Sequence, residues 1–258
     1  MRTTRLLAAT IVVLTALMAL AAGLAQGTAE TPSMAAPQLA DPADASGEQL
    51  YLQGCASCHE ADGRGSDTWP TLIGVGAAAV DFQISSGRMP FAGQPGEQAL
   101  RKPVAYAPDE IAKLVAYVVE LGRDAPPGPD IPTVRTDATL LPRGHEIFIA
   151  NCAPCHGASG QGGAVGGGAL APSLHQATSV QVGEAMLIGP GQMPVFDLPA
   201  ADLDAMATYV EYLQTAPDPG GFSIGGLGPV PEGFVAWVLG AGLMLVIVRL
   251  IGREWDRA

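Results

Sequence analysis

Gly47–Gly65 reads GEQLYLQGCASCHEADGRG, and Gly144–Gly162 reads GHEIFIANCAPCHGASGQG. The two stretches align without a gap at an offset of 97 residues, with Gly47, Tyr51 and Gly54 facing Gly144, Phe148 and Asn151. Each contains Cys-x-x-Cys-His, at Cys55, Cys58 and His59 and again at Cys152, Cys155 and His156, and these are all 4 cysteines of the chain. Two thiols one helical turn apart reach the two vinyl groups of one porphyrin, and the His that follows then lies beneath the iron. That spacing is the attachment signature of c-type haem. One Cys-x-x-Cys alone would also suit a redox dithiol or a zinc site. Two copies that use every cysteine point to two covalent haems, because four Cys and two His have no simple partition into four-ligand zinc sites.

The repeat continues downstream, as expected of a duplicated unit. Both halves carry Pro-x-Leu, at Pro70–Leu72 and Pro172–Leu174, and then Met-Pro, at Met89-Pro90 and Met193-Pro194. Each half ends in an amphipathic helix opened by Pro, a residue favoured at the first helical position. Ile111, Leu114, Val115, Val118 and Leu121 mark one apolar face; Leu203, Met206, Val210 and Leu213 mark the other. Both sets follow helical i, i+3, i+4, i+7 spacing. Met89 and Met193 lie 30 and 37 residues after their histidines, in loops where the following Pro prevents helix and exposes the thioether. A Met sixth ligand raises the reduction potential and suits an electron carrier. Met186 is a rival for the second site, although its Ala-Met-Leu-Ile setting reads as a buried helix face. His145, expected on an exposed face of the first helix, and His175, just past Pro172, are rivals too. The Gly-rich run from Gly160 to Leu170 lacks the Lys-Ser/Thr ending of a phosphate loop and reads as a flexible haem-edge loop.

Charge separates the chain into a body and two ends. Between Gln26 and Pro231 there are 22 acidic and 8 basic residues, a net of -14. Such a surface excludes nonspecific nucleic-acid binding. Arg2 and Arg5 precede an uncharged stretch from Leu6 to Ala25, which reads as a cleaved export signal or an uncleaved anchor. At the other end, Phe234–Arg253 is apolar but for Arg249 near its close, with Trp237 and Trp255 at the expected headgroup levels and Gly240 and Gly242 leaving room for a neighbouring helix. Basic residues outside both apolar segments place those flanks in the cytoplasm and the acidic body outside.

The order of elements resembles the small monohaem cytochrome c fold, duplicated. The resemblance implies a crossing of the first and last helices of each module through a Gly and an aromatic pair: Gly47 and Tyr51 with Tyr117, and Gly144 and Phe148 with Tyr209. It also implies that the Pro70 and Pro172 carbonyls accept from the proximal histidines. The stretches Gly74–Pro90, Arg101–Pro103 and Ile188–Phe196, and the Pro-Gly-rich approach to the last helix, are similar to the dihaem cytochrome c subunit of actinobacterial-type cytochrome bc complexes. That family implies a cytochrome b partner, a Rieske iron-sulfur partner, and delivery of electrons from quinol oxidation to a haem-copper cytochrome c oxidase within a supercomplex.

The expected organisation is all-α. It comprises a signal or anchor (1–25), a linker (26–45), a first haem module (46–123), a stiff Pro-rich linker (124–142), a second module (143–215), a tether (216–232) and a transmembrane helix (233–253). The expected site is Cys55, Cys58, Cys152 and Cys155 for covalent attachment, His59, Met89, His156 and Met193 on the irons, and Pro70 and Pro172 behind the histidines. No catalytic residue stands apart from the haems, so the chain reads as the electron-transfer subunit of a quinol–cytochrome c oxidoreductase at the cell membrane. The competing functions are an anchored dihaem carrier for another respiratory dehydrogenase or reductase, and a dihaem peroxidase. The peroxidase would need one displaceable distal ligand, and two Met-Pro loops argue against it.

Overall fold

A computed structural model of the chain describes residues 45–216 and 229–255. The signal-or-anchor segment, its linker and most of the tether lie outside the described residues.

In the first half, α1 (Gly47–Gly54) is opened by Ser46, whose Oγ accepts from the Gln49 amide at 3.3 Å while Gln49 Oε1 accepts from the Ser46 amide at 2.9 Å. This reciprocal pair satisfies two of the amides a helix start leaves free. The single turn α2 (Ala56–His59) carries the first cysteine motif, α3 (Ala77–Ser85) follows, and α4 (Pro108–Leu121) buries Ile111, Leu114, Val115 and Val118 as their spacing predicts. The two outer helices cross at Gly47, where a Cβ would run into the Lys113 carbonyl. The close approach brings Tyr51 against Tyr117, with ring centroids 5.3 Å apart.

The second half repeats this plan. A 3-10 turn (Ala138–Leu140) leads into α5 (Leu141–Ile147), which continues through a π-helical turn (Phe148–Cys152) into α6 (Ala153–His156). Then come α7 (Ser179–Ile188) and α8 (Ala200–Thr215). Gly144 is the crossing point of α5 on α8, and Phe148 meets Tyr209 at 5.1 Å. A two-toothed ion pair, Arg143 Nε and Nη2 each 2.8 Å from an Asp202 oxygen, ties α5 to the first turn of α8. Each half has its own apolar core, around Leu50, Tyr51 and Leu114 in the first and Phe148, Met206 and Val210 in the second.

Four features differ from the sequence reading. The fold is mostly helical rather than all-α: β1 (Gly163–Gly166) and β2 (Ala169–Ala171) pair antiparallel, with Ala164 opposite Leu170. The Gly-rich run is therefore a hairpin rather than a flexible loop. Gly167 and Gly168, at φ +57° and +79°, form its two-residue reversal, a conformation glycine adopts without steric penalty. Pro199 caps α8 from outside instead of sitting at its first position. The Pro-rich linker is no free spacer: the Ala78 amide donates to the Pro129 carbonyl at 3.0 Å, and Pro132 and Val134 pack close over Gly183 of α7. The last helix, α9 (Pro229–Trp255), begins inside the expected tether and contains a 21-residue apolar span, Glu232–Gly252, whose described side chains are exposed. At 1.5 Å rise per residue that span is long enough for a bilayer core of about 30 Å.

The halves meet where α3 lies on α7. Gln181 of α7 donates to Ser85 Oγ at 3.0 Å and accepts from Arg101 Nη2 at 2.8 Å. Gln98 reaches the hairpin, its amide group exchanging both hydrogen bonds with the Leu170 backbone, at 2.7 and 2.9 Å.

Candidate haem sites

Both cysteine motifs fold as one helical turn that starts at the first Cys and ends at the His. Burial, with the second thiol close by, pushes the Cys55 and Cys152 thiols up to about 11. Burial thus favours the neutral thiol at Cys55 and Cys152, and no disulfide joins either pair. The residue after each His turns back in the left-handed region, at Glu60 (φ +60°) and Gly157 (φ +74°). The two halves support this turn differently. Tyr51 donates its hydroxyl to the Glu60 carbonyl at 2.7 Å, whereas Phe148 has no hydroxyl to give and glycine occupies the turn itself.

The Gly-x-Gly that follows each motif and the distant Pro-x-Leu form one device. Gly65 and Gly162 donate to the His59 and His156 carbonyls at 3.0 and 2.7 Å, while Leu72 and Leu174 donate to the Gly63 and Gly160 carbonyls at 2.7 and 2.8 Å. These bonds lay each Pro-x-Leu strand against its motif, and a Cβ at Gly65 or Gly162 would collide with the strand's backbone. The Pro70 oxygen thereby lies 2.9 Å from His59 Nδ1, and the Pro172 oxygen 2.9 Å from His156 Nδ1. A carbonyl only accepts, so each Nδ1 carries the hydrogen, and in the neutral ring this leaves the Nε2 lone pair free for a metal. Burial also pulls His156 below its ordinary value, with the Pro172 bond opposing, which favours the neutral ring that a metal requires.

In the second half, Cys152, Cys155, His156 and Met193 line one cavity of about 770 Å³. Its walls include Met186, Val182, Met206 and Val210. Met193 is held there by the end of α7: Gly189 terminates the helix at φ +56°, Met193 donates to the Pro190 carbonyl at 3.2 Å, and Phe196 returns to Met186 O at 2.8 Å. In the first half, Met89 packs on the core together with Cys55, Ala56 and Leu72. A thiol pair, a neutral imidazole, a half-buried thioether and an apolar cavity of this size fit a covalently tethered haem.

The two rival histidines have other neighbours, whereas Met186 stays beside the site. His145 is exposed and its ring lies 5.3 Å from that of Tyr209 at the helix crossing. His175 is occupied at Nε2, 2.8 Å from the Ser159 carbonyl. Met186 is buried in α7 yet lines the same cavity as Met193. The sequence reading missed the contribution of the first half to this second cavity: Phe82, Arg88, Gln98 and Arg101 all reach its wall. Arg88 is a buried cation directly before Met89, and that adjacency was the available clue.

Comparison with known proteins gives the same division. Residues 45–122 match the family model described as cytochrome c, and residues 139–210 match the one described as cytochrome C oxidase, cbb3-type, subunit III. Cytochrome c domains bind haem c covalently. The chain is 38% identical over 245 residues to the cytochrome bc1 complex cytochrome c subunit of Mycobacterium tuberculosis, covering 91% of this chain and 87% of that one. It is 36% identical over 231 residues to the same-named subunit of Corynebacterium efficiens, covering 81% and 76%. A cbb3-type cytochrome c oxidase subunit of an Azospirillum species is 30% identical over 192 residues, covering 66% of this chain and 62% of its own length.

Proposed function

Because the chain belongs to the family of cytochrome c subunits of the cytochrome bc1 complex, we propose that it is a membrane-anchored dihaem electron carrier between quinol oxidation and a haem-copper oxidase. One haem c is attached at Cys55 and Cys58 and a second at Cys152 and Cys155, on modules spanning 46–123 and 143–215. His59 with Met89, and His156 with Met193, would supply the protein ligands to the two irons. Electrons arrive from a cytochrome b subunit through a Rieske iron-sulfur protein and leave to the oxidase within one assembly. The observation that carries this reading is the twice-repeated His Nδ1 to Pro carbonyl distance of 2.9 Å behind a Cys-x-x-Cys turn.

When bound, each haem supplies an iron that cycles by one electron. This chain's residues do the rest. The Pro70 and Pro172 carbonyls fix the imidazole planes and make the rings better donors. Met89 and Met193 offer soft thioethers that favour the reduced metal. Apolar side chains, among them Val182 and Met206, line the second site. The positive-inside pattern supports an extracytoplasmic body, and α9 supports the anchor. The chain thus serves an oxidoreductase complex without an acid, base or nucleophile of its own.

Two measurements test the reading. Gentle detergent solubilisation should retain a cytochrome b and an oxidase with the chain, and its intact mass should account for two haems; a mass with one haem or none refutes the dihaem assignment, and quantitative isolation without a cytochrome b refutes the complex. Replacing Met89 or Met193 with Leu should abolish the near-infrared sulfur-to-iron band of one oxidised haem and lower that haem's potential. Survival of both bands in the double variant would move the assignment to another ligand.

A further inference from the structure

Two arginines of the first half stand out as cations without anions. Arg88 is only 8% exposed, and its Nη1 has no hydrogen-bond partner among the described residues. Its guanidinium carbon lies 4.7 Å from the centre of the Phe82 ring, which turns a π-face to the charge and supplies no counter-ion. Arg101 spends Nη2 on Gln181, a neutral acceptor, and its buried Nε has no partner among the described residues. Among the described residues neither forms an ion pair. A chain of net charge -12 that keeps two mutually repelling cations in one buried place has an anion to match them there.

The place is the wall of the second cavity. Arg88 and Arg101 line it together with Cys155, His156 and Met193. Resting on the dihaem reading above, the porphyrin tethered at Cys152 and Cys155 brings two propionate carboxylates into that cavity. We propose that Arg88 and Arg101, carried by the first module, form the carboxylate-binding site for the propionates of the second module's haem. Guanidinium and carboxylate match in shape and charge, and such pairs are strong where water is excluded. Glu97 also borders the cavity, but its Oε2 accepts from the Gln94 amide at 2.8 Å and the residue is exposed, so it is engaged elsewhere.

Two consequences follow. The module interface of Gln98, Arg101, Ser85 and Gln181 is completed by the haem, so the second haem locks the halves together. Arg88 is also joined by one peptide bond to Met89, the candidate ligand of the first haem, so the wall of one site adjoins a ligand of the other.

The test uses the full-length haem-loaded protein in detergent, with Arg88→Met, Arg101→Met, the double variant and the charge-retaining Arg88→Lys. Both haems should remain by intact mass. In the double variant the second haem's oxidised-to-reduced ratio at a fixed potential should rise tenfold or more, because loss of positive charge favours the ferric state. That ratio should also become pH-dependent near neutrality, as the released propionates titrate, while Arg88→Lys stays near the native value. The haems are told apart with a Cys152→Ser, Cys155→Ser background, which keeps only the first; there the Arg88 change should move the remaining haem by far less than it moves the second haem of the intact protein. A shift confined to the first haem, or no shift in either with both haems present, overturns the proposal. A native mass short of two haems would instead refute the dihaem reading beneath it.

Discussion

Deleting residues 229–258, in a chain whose first 25 residues are replaced by a cleavable export leader, is expected to release all of the haem-stained protein into the soluble fraction. Electron flow from quinol to oxidase in membranes should then cease. The first half of this expectation rests on α9. Leu239, Leu243, Leu245 and Val248 are 68%, 63%, 72% and 62% exposed, and no charge interrupts the helix between Glu232 and Arg249. Only lipid or another apolar helix removes that surface from water, and burial of so many large side chains dominates membrane retention. The body has no such need: its two cores close around residues 45–216 without α9. The second half of the expectation follows from the proposed function, since a carrier lodged in one assembly loses its position when released. Retention of the truncated, leader-cleaved body with a cytochrome b would show that the body itself is the main dock. Full electron flow from the soluble body would favour a diffusing carrier.

What could be read from the sequence was local or periodic. The Cys-x-x-Cys-His turns and the apolar faces of α4 and α8 announce themselves by spacing, while the crossings Gly47–Tyr117 and Gly144–Tyr209 were implied by the resemblance to the cytochrome c fold, and each lies where it was expected. The hairpin at Gly163–Ala171 was hidden because glycine shows neither strand propensity nor alternation. The link between Gly-x-Gly and Pro-x-Leu was visible as two repeats but not as one hydrogen-bonded unit, since nothing in a linear pattern says that Leu72 returns to Gly63. The module interface was hidden for a related reason. Gln181 and Glu184 are polar residues on the largely apolar α7, Arg88 and Arg101 lie in irregular segments, and the contacts that join them across the halves span about eighty to a hundred positions. A stiff spacer is what a Pro-rich run predicts when its contacts are unknown, and here Gly74, Gly76 and Gly128 let that run lie flat on the first module.

Glu184→Gln should stabilise the protein at pH 8 and leave it nearly unchanged at pH 4. Glu184 lies on α7, where that helix meets α3, and is 0% exposed. Neither carboxyl oxygen has a hydrogen-bond donor among the described residues. The neighbouring group is the Asp81 carboxyl of α3, one turn from the Ser85–Gln181 contact, and two carboxyls can bond only through a retained proton. Burial first, then the hydrogen bond and charge of Asp81, push Glu184 up from 4.5 to about 9. The sign follows from proton counting. Below pH 4.5 the group is protonated in both folded and unfolded chains and its burial carries no ionisation penalty. Between 4.5 and about 9 the unfolded chain releases the proton and the folded one holds it, so stability falls as pH rises. The slope approaches about 1.4 kcal/mol per pH unit, and above the folded value the loss is complete. Gln cannot ionise and its amide can donate to Asp81, so the variant lacks this slope. That slope integrates to a gain of about 5 kcal/mol at pH 8, which corresponds to roughly 15 °C in the unfolding midpoint for a body of this size. Thermal unfolding of the haem-loaded native and variant proteins at both pH values reads the difference directly, because every other titrating group is shared. Parallel pH profiles for the two proteins would mean that Glu184 is ionised in the fold, with a cation or water between it and Asp81.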